Sequence, residues 1–345
     1  MKRVEELDFT RVIAMLFVIV IHVTSAFIYH ESTFTLFGMN LAFFLNQTAR
    51  FAVPMFVLLS GLSLSLSNTQ DRYGTFLKKR FQKLGIPYLF WFLLYFLHNL
   101  QANGTALRSL TCGDVLQSFL MGQAAPHLYF VAVIFQFYLL FPLLRKWVNA
   151  SPGGAVLVSF LVTYCIQKCY FLKSCGFDLI PHWIKPCLWI LFPTWIFYFV
   201  TGMALKRLLP QLQKLAARCA PSILIGTAVF LLFYTKEAQV TNSIESIKTG
   251  LDLYVPLVLL SCFALWHFIG NWAWVRSVTR FLAARSMTIY FCHVLILQYL
   301  CRFSMFQGGT LHMLLLLVLV FLLAVCVASL LQKLPALLQR RLAHA

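Results

Sequence analysis

The chain has 345 residues, 61% of them hydrophobic and only 11% charged, with 34 phenylalanines and a formal net charge of +18. No water-soluble domain of this length can hide so much apolar surface, so soluble fold classes are excluded and an all-α, polytopic membrane bundle is implied. The positive charge is spread over short loops rather than gathered in an aromatic-interleaved basic domain, which argues against a nucleic-acid partner and for a bilayer.

The first apolar stretch is Phe9 to Tyr29. Lys2 and Arg3 precede it as in a signal peptide, but it contains His22, lacks a small-residue cleavage site and is followed by further spans, so it reads as an uncleaved first helix. Eleven helical steps separate Arg11 from His22 and close to within about 20° of three turns, which puts the two on one face. They lie roughly 16 Å apart along the axis, Arg11 near one boundary and His22 about halfway across an apolar core of ~30 Å. An ionisable residue at that depth is costly and marks either a functional group or one satisfied by a partner. A snorkelling arginine and a carbonyl-bonded histidine are the plain structural alternative. Asp8, three residues before Arg11, is spaced to orient it.

A second span, Asn40 to Leu66, carries Arg50 about a turn inside its outer end and Pro54, which should kink it. Carbonyls freed by a proline at membrane depth need something polar to face them, so this helix is a candidate cavity wall. Ser60-Gly61 permits close approach of a ligand or, more ordinarily, a packed neighbouring helix. The next loop holds Arg72, Lys78, Lys79, Arg80 and Lys83. These cations serve as a topology signal or lipid contact, or as the docking site of a polyanionic cytosolic ligand.

Eight further spans are predicted: Leu84 to Asn99, Leu128 to Leu144, Ala155 to Phe171, Leu188 to Leu205, Pro221 to Tyr234, Asp252 to Ile269, Ser286 to Phe303 and Leu311 to Leu331. Several fall short of the ~20 residues of an upright crossing. Lys and Arg concentrate after the second, fourth, sixth, eighth and tenth spans, so both termini are expected in the cytoplasm. His127 enters the fourth span at the outer surface. Ser286, Tyr290 and His293 share a face of the ninth, with His293 about 10 to 12 Å deep. Of the ten cysteines, Cys175 and Cys187 share an outer loop where a disulfide is one option. Nothing in the spacing suggests a metal site, and no linker or repeat divides residues 1–345, which read as a single domain.

Taken in order, Asp8-Phe-Thr-Arg11 with His22, VPMFVLLSG, KKRFQKLGIPY, PHLYF, FYFVTG and SMTIYFCH resemble the integral-membrane acyltransferases of the acyltransferase-three family. The likeness runs from Asp8 to about Leu331. The pattern is similar to that of surface-polysaccharide O-acetyltransferases and of the O-succinyltransferase of staphylococcal intercellular adhesin. It departs in having Tyr129 where many members have Trp, and no extracytoplasmic hydrolase-like domain follows the last span.

The resemblance implies a multi-pass protein of the bacterial plasma membrane that moves an acyl group, acetyl first among candidates, from acyl-coenzyme A to a hydroxyl of a cell-surface glycan or its lipid-linked precursor. Such chemistry needs a base, an oxyanion stabiliser and a site for the thiol leaving group. His22 is the candidate base, with His293 the other histidine able to serve. Arg11 is suited to a phosphate or the pantetheine end of the donor, and Lys79 and Arg80 to its anionic head. Asp8, Arg50, His127, Ser286 and Tyr290 are candidates for the acceptor cavity. A transporter or flippase of an anionic lipid-linked sugar, with the histidines relaying protons, is the competing class.

Overall fold

The computed structural model describes residues 4–28, 34–67, 72–104, 110–174, 176–241, 247–248, 250–303 and 308–343, with no account of the side chains of 174 and 334–343. In chain order its helices are α1 (Glu5–Ser25), α2 (Leu41–Ala49), α3 (Ala52–Leu66), α4 (Tyr73–Arg80), α5 (Ile86–Ala102), α6 (Cys112–Met121) and α7 (Tyr129–Ala150). There follow α8 (Pro152–Ser174), α9 (Ile196–Leu205), α10 (Leu209–Arg218), α11 (Ala220–Val240), α12 (Leu251–Ile269), α13 (Ala273–Leu300) and α14 (Thr310–Ala343). A two-stranded antiparallel hairpin, Thr35–Leu36 with Met39–Asn40, leads into α2, and Asn40 caps that helix by accepting from the Ala42 amide at 2.8 Å.

Among the described residues eight helices are long and apolar enough to cross a membrane, α2 and α3 counting as one. The third and sixth predicted spans correspond instead to α5 and to the ten-residue α9. Three local departures from the expected boundaries have physical causes. Pro54 cannot donate to the Arg50 carbonyl and its ring crowds that group, so the kink appears as a break at Arg50–Phe51 between α2 and α3. Pro87 does the same to Lys83, and the backbone opens there into a π-turn over Phe81–Gly85 that joins α4 to α5. The basic segment expected as a loop is therefore helical. Finally, α13 begins thirteen residues before the predicted Ser286, because its first half carries Arg276, Arg280 and Arg285 and has no hydropathy to announce it.

The chain clusters into two compact units, each assembled from separated segments. The mid-chain unit comprises Val53–Cys219 and Glu245–Leu260; the terminal unit comprises Arg3–Ala52, Ala220–Ile244 and Ser261–Ala345. Two of the passages between the units, Ala52 to Val53 in α3 and Leu260 to Ser261 in α12, fall inside apolar helices, where no polar linker marks a boundary in the sequence.

In the mid-chain unit α3 and α9 cross at two glycines. A Cβ on Gly61 would lie 2.1 Å from the Phe199 carbonyl oxygen, and one on Gly202 would lie 2.0 Å from that of Leu58. Gly61 thus serves helix packing. Phe137 stacks on Phe199 at 4.3 Å beside this crossing. The non-helical stretch before α9 is satisfied by side chains from its neighbours. Gln136 donates to the Ile190 carbonyl at 3.0 Å and accepts from the Phe192 amide at 2.9 Å, while Thr163 donates to the Pro193 carbonyl at 3.1 Å. Irregular backbone survives inside an apolar bundle only when buried in protein and bonded in this way.

In the terminal unit α1 packs against α2, α13 and α14, and α13 against α14. Phe9 meets Trp266 at 5.4 Å and Phe17 meets Phe51 at 5.0 Å.

Candidate active site

The terminal unit brings together His22, His293 and Arg50. Helix α1 ends at Ser25, so His22 sits in its last turn rather than midway along a span reaching Tyr29. Side chains bond back to carbonyls of this last stretch: Thr24 donates to Val20 at 2.6 Å and Ser25 to Ile21 at 2.6 Å. Asn46 of α2 adds a third donor, its Nδ2 lying 3.1 Å from the Ile21 oxygen and 3.0 Å from both the Thr24 and Ser25 hydroxyls.

The other end of the same amide holds Arg50. Asn46 Oδ1 accepts from Arg50 Nε at 2.9 Å and from a terminal guanidinium nitrogen at 2.6 Å, an i to i+4 pair on α2. Asn46 is fully buried. It locks a cation onto the end of the helix that carries His22, and the Arg50 charge acts on both His22 and the buried Tyr234 of α11. Neither Asn46 nor Tyr234 was singled out by sequence reasoning. The spacing of Asn46 four residues before Arg50 within a span was the available signal; nothing marked Tyr234.

His293 on α13 faces His22 with ring centroids 5.1 Å apart and planes tilted by 51°. Its Nδ1 lies 2.7 Å from the Tyr290 carbonyl oxygen. A carbonyl only accepts, so Nδ1 carries the hydrogen and Nε2 is the basic nitrogen of the neutral ring. His293 is wholly buried, whereas His22 is half-buried. The Tyr290 ring packs 6.0 Å from that of His293, and the Ser286 hydroxyl turns back to the Ala283 carbonyl of its own helix at 2.9 Å.

Arg11, eleven residues before His22, is half-buried and donates to Asp8 at 2.9 Å. Nearby, Glu5 at the start of α1 pairs with Arg280 of α13. The three acidic residues of this first turn suit the positive end of the helix.

The remaining candidates belong to the mid-chain unit. Lys79 is exposed on α4, and Arg80 lies over the rings of Phe76 and Tyr138 at 5.2 and 5.9 Å. His127, expected at an open surface, is buried with its ring 5.4 Å from Tyr95. Its turn is tied down by Gly122, whose left-handed backbone (φ 64°) and 2.5 Å approach of a would-be Cβ to the Tyr129 nitrogen admit no side chain. Tyr88 donates to the Phe119 carbonyl and Asn99 to that of Ala124 at 2.8 Å, fastening the same turn to α5. The pairing considered for Cys187 involves Cys175, which lies outside the described residues. Among the described residues no three His, Cys, Asp or Glu side chains are grouped to hold a metal.

A helical membrane bundle with two facing histidines and an anchored arginine defines the class: a polytopic protein whose polar centre is built within its own helices. A family profile described as acyltransferase domain matches residues 4–333, and the chain belongs to that family, the acyltransferase-three family. It is 25% identical over 298 residues to the putative membrane-bound acyltransferase YfiQ of Bacillus subtilis, covering 84% of this chain and 80% of that protein. It is 23% identical over 338 residues to a probable poly-beta-1,6-N-acetyl-D-glucosamine export protein of Staphylococcus aureus, covering 95% and 92%. No solved structure matches.

Proposed function

We propose that this protein is an O-acyltransferase of the bacterial plasma membrane, moving an acyl group, acetyl being the first candidate, from cytosolic acyl-coenzyme A to a hydroxyl of an extracytoplasmic glycan or its lipid-linked precursor. The observation that carries the reading is the His22–His293 pair beside an arginine fixed by Asn46. His22, the more accessible imidazole, takes the proton of the acceptor hydroxyl as its oxygen attacks the thioester carbonyl. Negative charge gathers on the carbonyl oxygen, and Arg50 is the cation able to stabilise it. Collapse breaks the carbon–sulfur bond, the ester forms, and the departing thiolate recovers the proton from His22. His293, with its Nδ1 hydrogen committed to a backbone carbonyl, sets the position and polarity of the His22 ring.

Arg11, oriented by Asp8, is assigned to the phosphate or pantetheine portion of the donor. Ser286 and Tyr290, in the same unit as His22, are assigned to the polar lining used by the acceptor. Both termini face the cytoplasm in this arrangement.

The printed name of the Staphylococcus aureus relatives favours a second reading, export of an anionic or lipid-linked glycan, in which the same histidines relay protons. Radiolabelled acetyl- and succinyl-coenzyme A supplied to inside-out and right-side-out membrane vesicles separate the two. The enzyme transfers label to an outer-surface glycan in a protein-dependent way. Glycan that crosses the vesicle membrane without acquiring label under either donor would replace this reading with the exporter.

A further inference from the structure

The mid-chain unit holds a buried carboxylate that has no part in the chemistry above. Asp252 stands in the first turn of α12 and is 8% exposed, with Gln167 of α8 at 3% and Tyr198 of α9 at 2%. All three belong to that one unit. Asp252 Oδ1 accepts from the Tyr198 hydroxyl at 2.8 Å and from Gln167 Nε2 at 3.0 Å. On α8 the contact is the last step of a buried polar stripe, Ser159, Thr163 and Gln167, which recurs every fourth residue and so shares one face. Thr163 donates to the Pro193 carbonyl and accepts from the Phe197 amide one turn before Gln167 reaches α12.

Two oxygens of this cluster are buried without a hydrogen-bond partner, Asp252 Oδ2 and Gln167 Oε1. They belong to the two side chains that the 3.0 Å bond already joins. Among the described residues no cation pairs with Asp252, and Lys168, next to Gln167, lies over the rings of Tyr164 and Phe171 at 5.2 and 5.3 Å. An ionised carboxylate so placed is a buried charge held by two neutral donors, and such a charge is costly inside a bundle. Its free oxygen and that of the amide are both acceptors, with no hydrogen to share. A single proton removes the charge and satisfies both oxygens. On Oδ2 it makes the acid a donor, and the acceptor on the far end of the same amide is Oε1. An acid and a primary amide joined by one bond close into a ring by the second: Oδ2–H to Oε1 beside Nε2–H to Oδ1. Calcium or magnesium takes roughly six or more oxygens, a shell that two orphaned acceptors do not supply.

We propose that Asp252 and Gln167 form a proton-binding site, in which Asp252 takes one proton from the aqueous phase onto Oδ2 and shares it with Gln167 Oε1. The bound proton cancels the buried charge and latches α12 to α8, with Tyr198 bringing in α9. Its release leaves two acceptors face to face, so occupancy of the site and closure of these three helices go together. The site does not rest on the O-acyltransferase reading, since none of its residues is assigned to acyl transfer.

The test is infrared spectroscopy of the full-length protein in phosphatidylcholine nanodiscs at neutral pH, with aspartate labelled with carbon-13 at its side-chain carboxyl, in sodium-free and sodium-containing buffer. A protonated acid has a carbonyl stretch separate from the bands of a carboxylate, and the label identifies it as aspartate. The wild type is expected to show that band in both buffers. Asp252→Asn should lose it while keeping yield and melting temperature, because the asparagine amide offers Oε1 the same donor. Gln167→Leu should keep the band but shift it to higher frequency as the acid loses its ring partner, and Tyr198→Phe, which removes the other donor to Oδ1, should shift it too. If Asp252→Asn does not fold, the shift in Gln167→Leu carries the assignment. A wild type without a protonated aspartate, or a band that survives in Asp252→Asn, would overturn the site. An unchanged band in Gln167→Leu would overturn the shared proton. A band present only in sodium-free buffer would overturn it in favour of a sodium site.

Discussion

At the scale of single residues, accessibility is what makes His22 rather than His293 the proposed base. His22 is half-buried in the last turn of α1, while His293 is enclosed and spends its Nδ1 hydrogen on Tyr290. His22→Ala is therefore expected to lower turnover per folded molecule by ~10² to 10⁴-fold with normal abundance. Glycan acylation normalised to folded protein checks this, and full activity in His22→Ala would make His293 the base. Asn46 gives a sharper prediction because its two ends do different things. Asn46→Ala strips the anchor from Arg50 and a donor from the Ile21 carbonyl, and buried groups left without partners cost about 1–3 kcal/mol each. Asn46→Asp keeps an acceptor for Arg50 but loses the donor to α1. If Asn46 matters through Arg50, activity should fall in Ala and recover in Asp; if it matters only through the end of α1, both should lose thermal stability alike, as read from unfolding of the detergent-solubilised protein.

Element by element, what was legible in the sequence follows the reach of each signal. Hydropathy identifies long apolar helices such as α1, α7 and α14, and the Arg11-to-His22 spacing marks a shared face whatever the packing. It misses the charged first half of α13, the amphipathic α6 and α10, and the π-turn forced by Pro87, because none of these depends on mean apolarity. The His22–His293 contact was equally out of reach: each histidine stands out along the chain, but 271 positions separate them and only packing decides that they meet. The α3–α9 crossing predicts that Gly61→Ala or Gly202→Ala forces the helices apart, since neither backbone carbonyl can yield the missing ångström. Both should lower the melting temperature and yield of folded protein, whereas Gly226→Ala, with open space at its Cβ, should not. Helix α6 offers a pH test outside the spans. The Thr111 hydroxyl and amide donate to Asp114 at 2.8 and 2.9 Å and hold its carboxyl below the usual carboxylate range. A depressed value means that the cap's contribution is present above the ordinary carboxylate pKa and is lost as pH falls through the lower folded value. Amide exchange at the start of α6, corrected for intrinsic rate, should lose protection across that acidic window in wild type and lack the step in Asp114→Asn.

For the whole molecule the next quantity is how many times the chain crosses the bilayer, and the residues that line two cavities at one end of the mid-chain unit bear on it directly. Ser65, Tyr73, Arg145, Pro152 and Lys206 all line that one end of the unit. Helix α7 arrives there at Arg145, and α8 departs from it at Pro152. If α8 alone crossed and α9 did not return, Lys206 would lie on the face opposite Arg145, yet the two share a cavity. The ten-residue α9 is short for a crossing of ~20 residues, but the bonded irregular stretch from Leu188 to Trp195 extends it. The same reasoning applies to α5, which must leave the Tyr73 end so that α7 can come back to it. We therefore propose ten traversals and cytoplasmic termini, an even count that would put the Arg and Lys clusters of this end on the side where positive loops accumulate. Single cysteines replacing Lys79, Arg145 and Lys206 should resist a membrane-impermeant maleimide in intact cells and react after permeabilisation, while one at Asn103, past the end of α5, should react from outside. Opposite labelling of Arg145→Cys and Lys206→Cys would leave eight traversals as the better count. Labelling of all three basic positions from outside would invert the topology.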